Sequence, residues 1–384
     1  MKIATIVGAR PQFVKAATVS RAVKELREAG TDIEEFLIHT GQHYDHNMSE
    51  VFFKEMEIPA PRYNLGIGAC KQGAMTGRMI ESIEDVLNRE HPDWVLVYGD
   101  TNSTLAAAIA AVKMHIPVAH VEAGLRSFNR RMPEEINRIL ADHSSELLFT
   151  PTQSATDRLL VEGIPRKKIH QVGDVMYDAT MHYRVKSAEN SSIVKMLSLS
   201  PKKYVLATIH RAENTDDPHR LREIFAGLDE ISKEVTVVLP MHPRTRKALE
   251  EAGIHLNGQG NLIIIDPVSY LDMIQLESNA QLIMTDSGGV QKEAFFFQVP
   301  CLTLRTETEW VELVTHGYNT LVPLERTAII NAWRMQKYEG INWARPLYGK
   351  GNAAHAILDT LLGKKENKPN TESTEEANLL KAHL

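Results

Sequence analysis

The sequence predicts an α/β chain of two Rossmann-like, doubly wound domains facing a cleft, and three observations predict it. Short apolar runs rich in strand formers alternate with helical patterns along nearly the whole chain. Many of these runs lack apolar/polar alternation, as strands covered on both faces of a parallel sheet should. The rhythm is interrupted once, from Asp174 to Lys203, leaving six strand–helix units on either side. A closed (β/α)8 barrel fits less well, because twelve strands overshoot it and the interruption breaks its repeat.

The elements follow in order. In the first half, the expected strands are Ile3–Gly8, Glu35–Gly41, Trp94–Asp100, Val118–Glu122, Leu147–Thr152 and Ile169–Gly173. In the second half they are Tyr204–His210, Val235–His242, Leu262–Asp266, Gln281–Ser287, Cys301–Arg305 and Asn319–Val322. The domain boundary is placed at Gly173–Asp174, giving domains 1–173 and 174–362. The tail 363–384, rich in Lys, Glu, Asn, Ser and Thr, reads as disordered.

Composition narrows the function. With 43 Lys+Arg against 49 Asp+Glu, the net charge of −6 offers no general field for a polyanion, so nucleic acid and anionic membranes are not expected partners. No apolar run approaches the roughly 18 residues of a membrane span. Ile3–Val7 is too short for a signal-peptide core. The two cysteines, Cys70 and Cys301, form no CxxC or metal spacing, which points to a reduced, cytoplasmic protein.

Ligands of open α/β sheets bind beyond the carboxyl ends of the strands. Here those ends carry Gly8-Ala9-Arg10, Gly99-Asp100-Thr101 and His120-Val121-Glu122 in the first half, and His210-Arg211, His242-Pro243-Arg244 and Asp286-Ser287-Gly288-Gly289 in the second. The run Thr285–Glu293 passes from a strand through Ser-Gly-Gly into a helix. Free N–H groups at such a start can cradle a diphosphate, with Ser287 as N-cap and ligand and Gly288 and Gly289 leaving room. Glu293, about one turn on, suits the hydroxyls of a ribose. The alternative is a bare N-cap and turn. Arg10 and Lys15 are cations placed for a diphosphate leaving group. Asp100, Glu122 and Glu134 form a carboxylate set whose pKa values a shared cleft would spread toward neutrality. Glu134-Glu135 after Pro133 also suit simple capping of a helix. His210 adds a group titrating near neutral pH.

Metal and nicotinamide are not expected. His43-Tyr44-Asp45-His46 lacks a supporting Cys or HExxH pattern. GxGxxG, Walker A and Asp-x-Asp motifs are absent from the sequence.

Taken in order, Gly8-Ala9-Arg10-Pro11, Thr40-Gly41-Gln42-His43, Gly99-Asp100-Thr101, His120-Val121-Glu122-Ala123-Gly124-Leu125-Arg126, Pro133-Glu134-Glu135-Ile136-Asn137-Arg138 and Thr285-Asp286-Ser287-Gly288-Gly289 carry a resemblance. From about residue 1 to 360 the chain resembles the non-hydrolysing UDP-N-acetylglucosamine 2-epimerases. The resemblance implies a glycosyltransferase-B type fold, a homodimer, and interconversion of UDP-GlcNAc and UDP-ManNAc for cell-surface polysaccharide precursors, without cofactor or metal. It implies catalytic roles for Asp100, Glu122, Glu134 and His210. Substrate contacts would come from Arg10, Lys15, Arg138, Ser287, Gly288, Gly289 and Glu293, with the backbone of Met273 meeting the uracil; Arg138 and Met273 rest on the resemblance alone.

Two departures stand out. The family's Arg-Pro-Glu reads Arg10-Pro11-Gln12, and its Thr-Glu-Arg-Pro-Glu reads Thr308-Glu309-Trp310-Val311-Glu312, so that Trp310 replaces an expected substrate-contacting arginine. With Gln42-His43-Tyr44 and Arg126-Ser127-Phe128-Asn129, they look like the branch acting on UDP-2,3-diacetamido-2,3-dideoxyglucuronate. Changes around Asp45 bear on the substrate activation known in some members. A glycosyltransferase of the same fold, a hydrolysing epimerase and a non-catalytic nucleotide-sugar sensor are the competing readings.

Overall fold

The computed structural model describes residues 1–41, 57–68, 70–254, 260–336 and 340–363, except for the side chain of Arg10. The motif residues 42–46 and the tail 364–384 lie outside the described residues.

Two parallel sheets form. The first contains β1 (Lys2–Val7), β2 (Glu34–His39), β3 (Tyr63–Asn64), β4 (Trp94–Tyr98), β5 (Val118–Val121), β6 (Leu147–Thr150) and β7 (Ile169–Gln171), in the spatial order β3-β2-β1-β4-β5-β6-β7. The second contains β8 (Tyr204–Thr208), β9 (Thr236–Pro240), β10 (Leu262–Ile265), β11 (Leu282–Thr285), β12 (Cys301–Thr303) and β13 (Asn319–Leu321), ordered β10-β9-β8-β11-β12-β13. Each expected strand is present. The additional β3 is two residues long, too short to leave an apolar run.

The central strands are apolar because both faces are covered. Val95, Leu96, Val97 and Tyr98 of β4 are fully buried, as are Val205, Leu206 and Ala207 of β8. Strand order reverses between β1 and β4 and again between β8 and β11, so a crevice opens at the carboxyl end of each sheet.

The chain passes between the lobes twice. After β7 it enters helix Val175–Asn190, which packs on helix Arg10–Glu28 of the first lobe and on helix Tyr270–Asn279 of the second. Near the end, helix Ala353–Leu361 returns to pack on Arg10–Glu28. The passages are joined by a bond from the N–H of Asp174 to the carbonyl of Tyr348 at 3.0 Å. Cys70 and Cys301 are free thiols. Among the described residues, no helix is long and apolar enough to cross a membrane, and no cluster of His, Cys, Asp and Glu is arranged to hold a metal.

Candidate functional site

In the first lobe, the turn after β1 is shaped by Gln12. Its side-chain oxygen accepts from the N–H groups of Gly8 (2.8 Å) and Ala9 (3.1 Å), while its amide donates to the carbonyl of Tyr98 (2.9 Å) and to Thr104 Oγ1 (3.0 Å). An amide both accepts and donates; a carboxylate here could donate neither to the Tyr98 carbonyl nor to Thr104 Oγ1, and would face the carbonyl oxygen with its own charge. The departure at this position is therefore a structural one. Lys15 lies on the same helix, buried, with Nζ bonded to Glu122 Oε1.

Glu122 follows β5 with φ at +69°, a left-handed backbone uncommon for a residue with a side chain. Its second oxygen accepts from Lys292 Nζ at 2.9 Å. Burial raises the pKa of Glu122, but Lys15 and Lys292 outweigh it and hold the carboxyl at about 2. That is well below the near-neutral range expected from the sequence, so Glu122 is a fixed anion in this arrangement. Gly99, at φ +63°, lies beneath the pair: a Cβ there would stand 3.2 Å from Lys15 Nζ and 3.3 Å from Glu122 Oε1. The flanking loop is held by His120, whose ring bridges Asp142 Oδ1 and the Gly99 carbonyl at 2.7 Å each, and by Arg126, which pairs with Asp142 and Glu162.

Asp100 pairs with Arg138 Nη2 at 2.5 Å, and Arg138 Nη1 reaches Glu135 Oε2 at 2.9 Å. Helix Pro133–Ser144 begins with Pro133 and carries both acids in its first turn. The two acids differ in use. Glu135 is buried and accepts from the N–H groups of Ser127 (2.8 Å) and Phe128 (3.0 Å). Burial pushes its pKa up, but these donors and Arg138 bring it below the usual carboxylate range. The Glu134 side chain is half-buried and makes no hydrogen bond or ion pair with another described residue.

In the second lobe, Asp286 organises the loop after β8. Its carboxylate accepts from the N–H of His210 (3.1 Å), the N–H of Arg211 (3.0 Å) and Asn214 Nδ2 (3.0 Å). The His210 ring lies 3.4 Å from Asp286 Oδ1 and 5.7 Å, centroid to centroid, from His242. Desolvation lowers the pKa of His210; Asp286 opposes this, and Arg211 and Arg244 add to it.

Ser287 is the N-cap of helix Gly288–Phe296, but its hydroxyl makes no capping bond. The opening N–H groups of Gly288, Gly289 and Val290 have no acceptor within the helix, which makes this end attractive to anions. Gly288 is closely packed: a Cβ would stand 2.4 Å from Glu309 Oε1. Burial opposes charge on Glu309, yet Arg305, Arg211 and Arg138 hold it at about 2, with Arg305 Nη1 at 3.0 Å. Glu293 accepts from Tyr270 Oη at 3.0 Å, and burial lifts its pKa to about 6. The N–H of Met273 already donates to the carbonyl of Ser269 at 3.0 Å, inside helix Tyr270–Asn279.

The two sets of strand ends face each other. Lys292, one turn into the helix that starts at Gly288, touches both Glu122 of the first lobe and Asp174 at the crossing. At the rim, Asn129 Nδ2 donates to Glu307 Oε1 at 2.9 Å. Glu122 therefore meets the helix that starts at Gly288, and Arg138 links Asp100 to the charge of Glu309 beside Gly288. The helix containing Arg10 starts where expected, but its side chain lies outside the described part.

Sequence reasoning gave no role to Lys292 or Asp174, and took Arg305 only as an ionisable strand end. The available signal was a lysine inside Gly288-Gly289-Val290-Gln291-Lys292-Glu293-Ala294-Phe295-Phe296, too apolar a helix to leave it in solvent. Trp310 is buried, and its ring lies 4.1 Å from Lys292 Nζ. A cation is absent at position 310, but one is held against it.

Comparison with known proteins shows the family and the fold. The family model described as UDP-N-acetylglucosamine 2-epimerase matches residues 24–362. A UDP-2,3-diacetamido-2,3-dideoxy-D-glucuronate 2-epimerase of Pseudomonas aeruginosa is 52% identical over 364 residues, covering 94% of this chain and 99% of the relative. A UDP-N-acetylglucosamine 2-epimerase of Methanocaldococcus jannaschii is 45% identical over 368 residues, with coverage of 94% and 99%. The crystal structure of a UDP-GlcNAc 2-epimerase from M. jannaschii, in complex with UDP-GlcNAc and UDP, superposes with a TM-score of 0.88 at 43% identity, covering 94% of this chain and all of that one (100%).

Proposed function

The chain belongs to the UDP-N-acetylglucosamine 2-epimerase family, and on that premise we propose that it inverts C2 of a UDP-linked 2-acetamido sugar without hydrolysing it. One observation carries the reading. Lys292, one turn along the helix that starts at Gly288, bonds Glu122 of the other lobe, which supports a reading in which proton-handling groups and a diphosphate anchor serve one cleft.

A C2 hydrogen beside an acetamido group is too weakly acidic for simple removal and return. Elimination avoids a free carbanion. A base takes the C2 proton, the C1–O bond to UDP breaks with its electrons leaving on the diphosphate, and a C1=C2 double bond forms. The UDP oxygen then adds back to C1 while a proton arrives on the other face of C2. Two faces require two proton-transfer groups. Glu134, whose carboxylate is unpaired among the described residues, is the one free to move a proton directly. Asp100, on Arg138, and Glu122, on its two lysines, complete the set. His210, largely neutral before substrate arrives, gains charge as the diphosphate develops its own and stabilises it. Ser287, Gly288 and Gly289 cradle that diphosphate, Glu293 takes the ribose hydroxyls, and Arg10, Lys15, Arg138 and Met273 complete the contacts. The lobes 1–173 and 174–362 stay closed while the glycal and UDP are both bound, which keeps water out.

A second reading concerns the sugar. The 52% identity to the diacetamido-glucuronate epimerase, together with Trp310, favours a substrate of that kind. Incubation with each of the two nucleotides in D2O, followed by NMR, tests both readings. Solvent deuterium at C2 of the product is expected; retained hydrogen at C2, or no epimer from either nucleotide, refutes the proposal. We also infer a homodimer in the cytoplasm, where the free thiols Cys70 and Cys301 stay reduced, to be checked by sedimentation and fractionation.

A further inference from the structure

The two lobes meet on the ammonium of Lys292. It is 1% exposed, projects from helix Gly288–Phe296, and is surrounded on every side. Glu122 Oε2 accepts from it at 2.9 Å, Asp174 Oδ2 accepts a second bond, and the Trp310 ring covers it at 4.1 Å. Asp174 is itself fixed as the N-cap of helix Val175–Asn190, its other oxygen accepting from the N–H of Met176 at 2.8 Å. A desolvated ammonium is tolerated because two carboxylates and an aromatic face replace its water.

Glu122 sits between two lysines of different origin. Lys15 comes from its own lobe, whereas Lys292 comes from the lobe that carries the Gly288 cradle. The second cation on Glu122 thus comes from across the cleft. We propose that Lys292 is a positioning residue of the epimerisation, fixing the Glu122 carboxylate from across the cleft, and that Trp310 seats its ammonium. The proposal rests on the epimerase reading and assigns a role to a side chain outside the acid–base set. Other charged or titratable groups around the cluster are Lys15, Asp174, Glu293, Glu312 and Tyr348.

The test uses the full chain with Lys292→Met, Lys292→Arg, Trp310→Phe and Trp310→Leu. In Lys292→Met, kcat should fall about 100-fold, the scale of misplaced acid–base catalysis. KM should stay within about threefold, because the anchors of the nucleotide are untouched. The acid limb of the kcat–pH profile should move to higher pH, and Lys292→Arg and Trp310→Phe should recover most of the rate. Independently of turnover, the 13C carboxyl signal of Glu122 should stay flat from pH 7 to pH 4 in the unsubstituted protein and titrate within that range in Lys292→Met. Unchanged kcat, a rise in KM alone, or a Glu122 signal that stays flat in Lys292→Met overturns the proposal. Should Lys292→Met not fold, Trp310→Leu unseats the ammonium without removing it, and the same changes in kcat and in the Glu122 titration are expected in smaller measure, their absence overturning the proposal. If the unsubstituted protein turns over neither nucleotide, the epimerase reading fails, while the Glu122 titration still decides the role of Lys292.

Discussion

Replacing Gly99 with alanine separates backbone strain from catalytic geometry. Gly99 has φ +63°, and alanine there costs about 1 kcal/mol or somewhat more from the left-handed backbone alone. Gly253, at φ +61° with nothing within 4 Å of where a Cβ would stand, incurs the same backbone cost and nothing else. Gly99→Ala should therefore lose at least as much stability in urea titrations as Gly253→Ala, the excess reporting the crowding. Their kinetics should differ. At Gly99 the new methyl stands 3.2 Å from Lys15 Nζ and 3.3 Å from Glu122 Oε1, so both groups must yield by a few tenths of an ångström. Since a displacement of about 1 Å can cost on the order of 100-fold, a drop of roughly tenfold in kcat is expected for Gly99→Ala. Gly253→Ala should turn over at the normal rate. Equal kcat in both variants, measured by NMR of the epimerised nucleotide, would refute the idea that the Lys15–Glu122 geometry matters to turnover.

Gln12→Glu removes the amide's bonds to the Tyr98 carbonyl and Thr104 Oγ1 and buries a charge, so a loss of about 1–3 kcal/mol should appear in calorimetric or urea unfolding. The folded pKa of Glu122, about 2, lies below its ordinary 4.5, so its ion pairs stabilise the fold above about pH 4.5. That contribution is lost as pH falls toward 2. Urea midpoints should decline through this window, and Glu122→Gln, less stable at pH 7, should decline less steeply. His210 has a lowered pKa before ligand binds, and a diphosphate beside it should raise that value again. UDP binding near pH 6.5 should therefore take up a proton, seen by calorimetry in buffers of different ionisation enthalpy, and His210→Ala should reduce the uptake.

The strands were legible because parallel sheets leave continuous apolar runs, and β4 and β8 are such runs buried on both faces. The cleft was legible because ionisable residues ending apolar strands stand out, as Asp100, Glu122 and His210 do. Pairing across the cleft was less so. That Glu122 would be neutralised by Lys292, 170 positions away, depends on how the lobes meet, which no local pattern records. For the same reason, the near-neutral pKa expected of the carboxylate set gave way at Glu122 to two buried lysines. The difference between Glu134 and its neighbour Glu135 was equally hidden: one turns inward onto the N–H groups of Ser127 and Phe128, the other does not.

The double passage of the chain between its halves, tied together by the Asp174–Tyr348 bond and by the return of helix Ala353–Leu361 onto helix Arg10–Glu28, has a mechanical meaning. A single tether would let the halves swivel and drift; a second one, fastened alongside, leaves mainly a swing about the line joining them. Substrate entry then needs no large search through orientations, and a nick in one tether would leave the pieces gripping each other through the second.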